Sequence, residues 1–537
     1  MKTFKILNIF LIFFIFFISL ANAQVNIIPR PMEVSIGDGF FELDSKTNIV
    51  SDNLSKDQAQ YLAAILDKAF EKKTKIKEKG RGIVLKINPD MKITLGDEGY
   101  HLTSSKKQIL IQASSSKGLF YGIQSLRQLL PSDFEFSKQS NKKILIPQVD
   151  ITDKPRFGWR SFMLDESRHF KGVEVVKNLL DQMALLKMNV FHWHLTDDQG
   201  WRIEIKKYPN LTKVGSYRED TQSKRKSDER YGYPHQGFYT QEEIKDIIAY
   251  AAERQILIVP EIEMPGHAMA AIASYPWLGI LGANTKVPEY FGKLDDSFNI
   301  ADPKVYQFLT DVLEEVFELF PGNVVHIGGD EVNFDVWKNS DIIQNKIKEE
   351  GLSSPADLQI FFTNKMSAFM ESKNHRMMGW NEILGANVHE WQDDSDVKVE
   401  QELAKSAIVH FWKGNVDLVN EAVTNGYDIV NSLHSMTYLD YTYDKLSLSK
   451  AYSFDPIPEG VDEKYTNKIL GTGCQMWSEW IPSVQQMNNQ VFPRIAAYAE
   501  VGWTTKANKD YEVFKESLNN YKKRWDFLGI EYYSDFK

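Results

Sequence analysis

The sequence predicts an α/β protein: a (β/α)8 TIM barrel preceded by a small α+β domain. Three observations predict it. Eight short apolar runs recur after Lys154-Pro155, amphipathic helical segments separate most of them, and polar and aromatic residues gather where the runs end. Ahead of these, between Gln24 and Asp150, alternating and β-branched runs mix with helical stretches.

The first element is an address. Lys2 and Lys5 precede an apolar stretch from Ile6 to Leu20, and Ala21-Asn22-Ala23 offers a small-residue cleavage site before Gln24. Residues 1–23 are therefore expected to be a removed signal peptide, and the chain is expected to be exported, periplasmic or secreted. No other stretch has the length and apolarity to span a bilayer, so no stable membrane insertion is expected once the signal is gone. Cys474 is the only cysteine. That excludes an intramolecular disulfide and a Cys-rich metal site.

Residues 24–150 form the expected α+β unit. "FFELDSKTNIVS", "GIVLKINP", "GYHLTSSKKQILIQAS" and "KKILIPQVDI" read as strands, with helices near 56–72 and 117–130. Gly118, Tyr121 and Gly122 match no phosphate-cradle spacing and read as a packed helix start.

The barrel is assigned to 151–508 and a C-terminal helical segment to 509–537. Its strands are expected at "SFMLDE" (161–166), "NVFHWH" (189–194), "LIVPEI" (257–262), "VVHIGG" (324–329), "RMMGWN" (376–381), "AIVHFW" (407–412), "DIVNSL" (428–433) and "GTGCQMW" (471–477). Helices are expected at 172–187, 240–255, 303–319, 355–372 and 414–425. Thr240-Gln241-Glu242-Glu243 has capping-box spacing. A doubly wound open sheet is the competing architecture, but no glycine-rich nucleotide fingerprint follows the first strand.

Charge narrows the partners. Loss of Lys2 and Lys5 with the signal takes the formal charge from −10 to −12, which argues against nucleic acid or an anionic membrane as partner. The mixed-charge run "SKRKSDER" (223–230) reads as a solvated loop.

In a parallel barrel the C-terminal strand ends build the active face. Here they carry Arg160, Asp165, Arg168 and His169; His192, Trp193, His194, Asp197 and Asp198; Glu261, Glu263 and His267; then Asp330 and Glu331. The later runs lead to Trp380, Trp412, Tyr438, Asp440, Trp477 and Glu479. Aromatic faces stack on a pyranose while carboxylates and arginine bond its hydroxyls, so a sugar suits this set. Hydrolysis of a glycosidic bond needs an acid and a group that stabilises charge at the anomeric carbon. Adjacent Asp330 and Glu331 in "VVHIGGDEV" fit poorly with two carboxylates flanking the bond.

"WRSFMLDESRHF", "VFHWHLTDDQGWRIEI", "GFYTQEEI", "PEIEMPGHAMAA", "HIGGDEV", "GWNEI", "TYLD" and "WSEW" occur in an order that resembles family 20 glycoside hydrolases, the β-N-acetylhexosaminidases. The resemblance runs from "IIPRPMEV" to "PRIAAYAEVGW". It implies an exo-acting, retaining enzyme in which the substrate's 2-acetamido oxygen is the nucleophile and an oxazolinium ion the intermediate. By motif, Glu331 is the general acid and then base. Asp330 orients the acetamido group, and Tyr438 bonds its carbonyl oxygen. The same carry-over gives Arg160 the O3 and O4 hydroxyls, gives Asp440 and Glu479 the O4 and O6 hydroxyls, and makes Trp380, Trp412 and Trp477 the pocket walls. Asp197, Glu263 and His267 support the acid. The implied partner is a carbohydrate chain or chitooligosaccharide, with no cofactor and no metal, and a monomer or homodimer as the assembly. Segments 213–239 and 282–299 are placed to shape the entrance.

Two other readings remain at this point. His192-x-His194, with His326 and His410, resembles the H-x-H of metal-dependent amidohydrolases, and insensitivity to chelators would separate the two. A non-catalytic sugar-binding protein is the third, which a kinetic assay would decide.

Overall fold

Alternation of buried and exposed positions builds the N-terminal sheet. The computed structural model describes residues 25–535 except 293, 295, 386–398, 400 and 401, so the expected signal peptide lies outside the described residues. Its first strands are β1 (Glu33–Leu43), β2 (Ile49–Val50), β3 (Ile76–Lys77), β4 (Ile83–Ile87), β5 (Tyr100–Ser104), β6 (Ile109–Ala113) and β7 (Ile144–Asp153). They form one mixed sheet in the order β1-β7-β5-β6-β4-β2-β3, antiparallel from β1 to β6 and parallel beyond. Ser115 caps the helix Ser116–Leu129, which seats closely because Gly118 and Gly122 have no Cβ to strike Gly99 and Ile111. β7 continues through Asp153, past the boundary expected at 150.

The barrel follows. β8 (Trp159–Asp165) and β9 (Val190–His194) open it. Two hairpins, β10 (Thr196–Asp197) with β11 (Gly200–Trp201) and β12 (Tyr217–Arg218) with β13 (His235–Gln236), lie in the connection to β14 (Leu257–Glu261). Then come β15 (Val324–His326), β16 (Arg376–Trp380), β17 (Ile408–Phe411), β18 (Asp428–Asn431) and β19 (Ile469–Met476). These eight strands close in the order β14-β15-β16-β17-β18-β19-β8-β9, each pair parallel. Helices at Val173–Leu185, Gln241–Glu253, Pro303–Leu319, Pro355–Ser372 and Val416–Thr424 agree with the periodicity to within two residues at each end. The capping box at Thr240 is formed.

Inside the barrel, polarity changes with height. Trp159, Val190, Val259, Val324, Met378, Ile408 and Val430 make an apolar layer toward the strand starts. Toward the strand ends His192, Glu261, His326, His410, Ser432 and Gln475 are buried instead. Polar groups are costly in a core unless partnered, so this upper layer marks the functional end.

The helix Tyr511–Leu528 joins the two units. Arg524 donates to the carbonyls of Arg127 and Leu130 in the N-terminal unit, and Trp525 Nε1 donates to Gln182 on the first barrel helix. Among the described residues no helix is long and apolar enough to cross a membrane.

Candidate active site

Neighbouring strand residues point to opposite faces, yet Asp330 and Glu331 meet in one place. β15 has ended at His326, and Gly328, Gly329 and Glu331 take left-handed φ values of 67°, 91° and 50°. That turn brings both carboxylates to one imidazole: His267 Nε2 lies 3.9 Å from Asp330 Oδ2 and 3.8 Å from Glu331 Oε2. Glycine is required at 328 because a Cβ would strike the Glu263 carboxylate. Asp330 is buried, whereas the Glu331 side chain is 42% exposed and open to a ligand.

Behind His267 stands a network of charge. Its Nδ1 lies 3.2 Å from Asp197 and 3.1 Å from Asp198. Asp197 pairs with Arg168 at 2.7 Å, and Arg168 also reaches Asp165 at 3.2 Å and Glu479 at 3.9 Å. Burial disfavours a charged His267, but Asp197 and Asp198 outweigh it and hold the ring protonated well above its ordinary range. Burial, with Asp330 and Glu261 nearby, pushes the Glu263 carboxyl well up. Burial does the same to Asp330, reinforced by Glu382 and Glu331 and opposed by His267. Two carboxylates joined in sequence thus sit in different surroundings.

Aromatic rings complete the pocket. Trp380 lies 5.9 Å from Trp477 and 6.4 Å from Trp412, and Tyr438 lies 6.0 Å from Trp412 and 5.9 Å from Trp477. Burial and the nearby Asp330 keep the Tyr438 phenol protonated, so it remains a donor. Asp440 and Glu479 approach each other, and burial together with Glu479 pushes the Asp440 carboxyl up to about 7. The structure therefore brings together Asp197, Glu263, His267, Asp330, Glu331, Trp380, Trp412, Tyr438, Asp440, Trp477 and Glu479.

Arg160 is not among them, which corrects its expected role. It is the second residue of β8, about 16 Å of strand from Asp165, and so belongs to the opposite end of the barrel. There it bonds Glu98 at 2.8 Å, the Phe157 carbonyl at 2.6 Å and the Lys187 carbonyl at 2.8 Å. Arg168 stands in the cluster instead, 8% exposed and 5.2 Å over the Trp477 ring. The signal was available: Arg168 follows the strand and Arg160 begins it. Glu382, whose carboxylate accepts from Trp412 Nε1 at 2.9 Å, lay unassigned within "GWNEI".

A cavity of about 280 Å³ opens between Arg168, Asp198, His267, Phe291, Glu331 and Glu479. The two segments expected at the entrance are tied together beside it. Gln222 N donates to the Glu289 carbonyl at 2.6 Å and Phe291 N to Gln222 Oε1 at 3.1 Å. Phe291 meets Trp480 edge-on at 5.0 Å, and Arg225 lies 5.7 Å over the same indole.

The histidines of the metal reading have other company. Glu261 lies 2.7 Å from both His192 Nε2 and His326 Nδ1, closer than the ~3.3 Å between two ligands on a tetrahedral zinc. His326 Nε2 then contacts His410 Nδ1 at 3.2 Å, and His410 reaches Ser432 at 2.8 Å, as a hydrogen-bonded chain does.

Residues 157–506 match the profile of glycosyl hydrolase family 20, catalytic domain, and residues 24–154 that of glycosyl hydrolase family 20, domain 2. The chain is 38% identical to a β-hexosaminidase of Porphyromonas gingivalis over 95% of its own length, and spans 64% of that relative. It is 34% identical to a β-hexosaminidase of Vibrio furnissii, covering 90% of this chain and 77% of the other. Among solved structures it resembles an exo β-N-acetylglucosaminidase from Vibrio harveyi in complex with N-acetylglucosamine. The TM-score is 0.84 and the identity 32%, covering 96% of this chain and 79% of the other.

Proposed function

The chain belongs to glycosyl hydrolase family 20, and on that basis we propose that it is an exo-acting β-N-acetylhexosaminidase. It releases terminal β-linked N-acetylglucosamine or N-acetylgalactosamine from oligosaccharides or glycoconjugates, with retention and substrate assistance. The observation that carries this reading is the convergence of Asp330 and Glu331 on His267 within one aromatic pocket. Two carboxylates on one side of the bond suit a reaction in which neither attacks the anomeric carbon.

The acetamido carbonyl oxygen attacks that carbon while the glycosidic bond breaks and Glu331 gives its proton to the leaving oxygen. Asp330, ionised with the help of the His267 imidazolium that opposes its burial, accepts the acetamido N–H and stabilises the positive charge that develops on nitrogen; Tyr438 donates to the acetamido oxygen. Water then attacks the same carbon, the ring of the intermediate opens, and Glu331 takes up the water's proton. Arg168, Asp440 and Glu479 hold the hydroxyls, and Trp477 backs the ring. The lip where Phe291 meets Trp480 beside Arg168 and Glu331 supports action on a terminal residue.

Aryl β-N-acetylglucosaminide and β-N-acetylgalactosaminide should be cleaved, and plain β-glucoside should not. A thiazoline mimic of the intermediate should block the reaction and a chelator should leave it intact. Equal cleavage of the plain glucoside would overturn the acetamido mechanism. We also propose export, supported by the signal-like residues 1–23; protein recovered from the periplasm or medium should begin at Gln24.

A further inference from the structure

His194 ends β9 and is fully buried beneath the pocket. Both ring nitrogens face carboxylates that come from three different elements. Nδ1 lies 3.5 Å from Asp165 Oδ1 at the end of β8. Nε2 lies 3.3 Å from Glu263 Oε1, 3.5 Å from Asp197 Oδ2 and 3.9 Å from Glu261 Oε2. A neutral imidazole has one N–H and one lone pair, so either neutral tautomer would turn a lone pair toward a buried anion, Asp165 on one side or Asp197 on the other. Only the doubly protonated ring offers a donor to both sides.

The remaining charge around it does not do this work. Arg168 pairs with Asp165 and Asp197 but has no ion-pair contact with Glu263, and His267 touches Asp197 and Asp198 from the far side. Glu261 is shared with His192 and His326. Glu479 approaches through Arg168. The edge of the His194 ring also supports a wall, since Trp477 stands against it at 5.0 Å and 74°.

We propose that His194 is a positioning residue, a fixed imidazolium that holds Asp197 and Glu263 apart yet in place. Through Asp197 it sets the guanidinium of Arg168 and the ring of His267, the groups that face the sugar hydroxyls and the Asp330-Glu331 pair. It touches no substrate itself. The inference rests on the hexosaminidase reading, because the groups it aligns have that reaction as their task.

The test is the pH profile of kcat/KM for an aryl β-N-acetylglucosaminide with wild type and His194→Gln, alongside the Tm of both. Glutamine keeps a donor and removes the charge, so kcat/KM should fall by at least ~100-fold. The acid limb should move to higher pH, as Asp197 holds its proton longer without this cation. A fall in Tm with an unmoved profile and near-normal turnover of the folded enzyme would reduce His194 to a packing residue and overturn the proposal. Should the variant not fold, neutron diffraction from wild-type crystals at neutral pH decides: deuterium on both ring nitrogens supports the proposal and on one alone refutes it. Absence of wild-type cleavage of the aryl substrate would instead sink the reaction assigned above.

Discussion

Glu331 and Arg168 carry the sharpest consequences at the scale of single residues. Replacing Glu331 by glutamine removes the proton donor but leaves the pocket filled, so the cost depends on how much help the leaving group needs. Turnover should drop by several orders of magnitude on oligosaccharides and by much less on activated aryl glycosides, read as kcat on both classes. Equal losses would remove the acid role from Glu331. The two arginines at either end of the first barrel strand should separate cleanly. Arg168→Lys loses the planar fork that spans Asp165 and Asp197, and kcat/KM should fall at least ~100-fold. Arg160→Met strands the Glu98 carboxylate at the other end of the barrel and should cost about 3–5 kcal/mol of stability, with KM unchanged. Chemical denaturation and steady-state kinetics on both variants check the contrast.

At the scale of elements, the end of β15 is the decisive piece. The turn through Gly328 and Gly329 gives one site the use of two consecutive carboxylates, and its left-handed backbone admits glycine at low cost. Gly328→Ala should therefore lower stability by at least ~2 kcal/mol and abolish turnover, since the new Cβ strikes Glu263. A variant with wild-type denaturation midpoint and rate would show that the turn is not required. The strands and helices were legible because each buries a continuous face. All eight apolar runs became barrel strands, and the helices kept their limits to within two residues at each end. β1 was less legible, for Gly37-Asp38-Gly39 interrupts its pattern and the strand absorbs them as an irregularity between Ile36 and Phe40.

The whole molecule is held together by a buried polar joint between the N-terminal unit and the barrel. Lys187 Nζ lies 3.0 Å from Asp153, whose other oxygen accepts from Trp503 Nε1 at 2.9 Å, and Glu500 accepts from Arg30 N at 2.8 Å. Burial pushes the Glu500 carboxyl up to about 7. Between pH about 4.5 and 7 the folded chain then keeps a proton that the unfolded chain has released, so stability falls as pH rises through that window and levels off above it. Glu500→Gln keeps the acceptor without the titration. Its Tm should stay flatter than that of wild type from pH 4.5 to 8, the difference amounting to about 1–3 kcal/mol. Parallel calorimetric curves for the two proteins would contradict this.

The sequence by itself determined the barrel, the order of its strands and the identity of most groups in the pocket, because periodicity and strand-end position are local properties. Asp330 and Glu331 were visible as a pair, and Trp380, Trp412 and Trp477 as strand-end aromatics. Only the tertiary structure decided which arginine joins the carboxylate and aromatic cluster, since Arg160 and Arg168 lie eight positions apart on one segment yet at opposite ends of the barrel. It alone also decided that His194 is surrounded by Asp165, Asp197, Glu261 and Glu263. Charge at a buried point is set by neighbours that the closing of the barrel supplies, and those neighbours are remote along the chain.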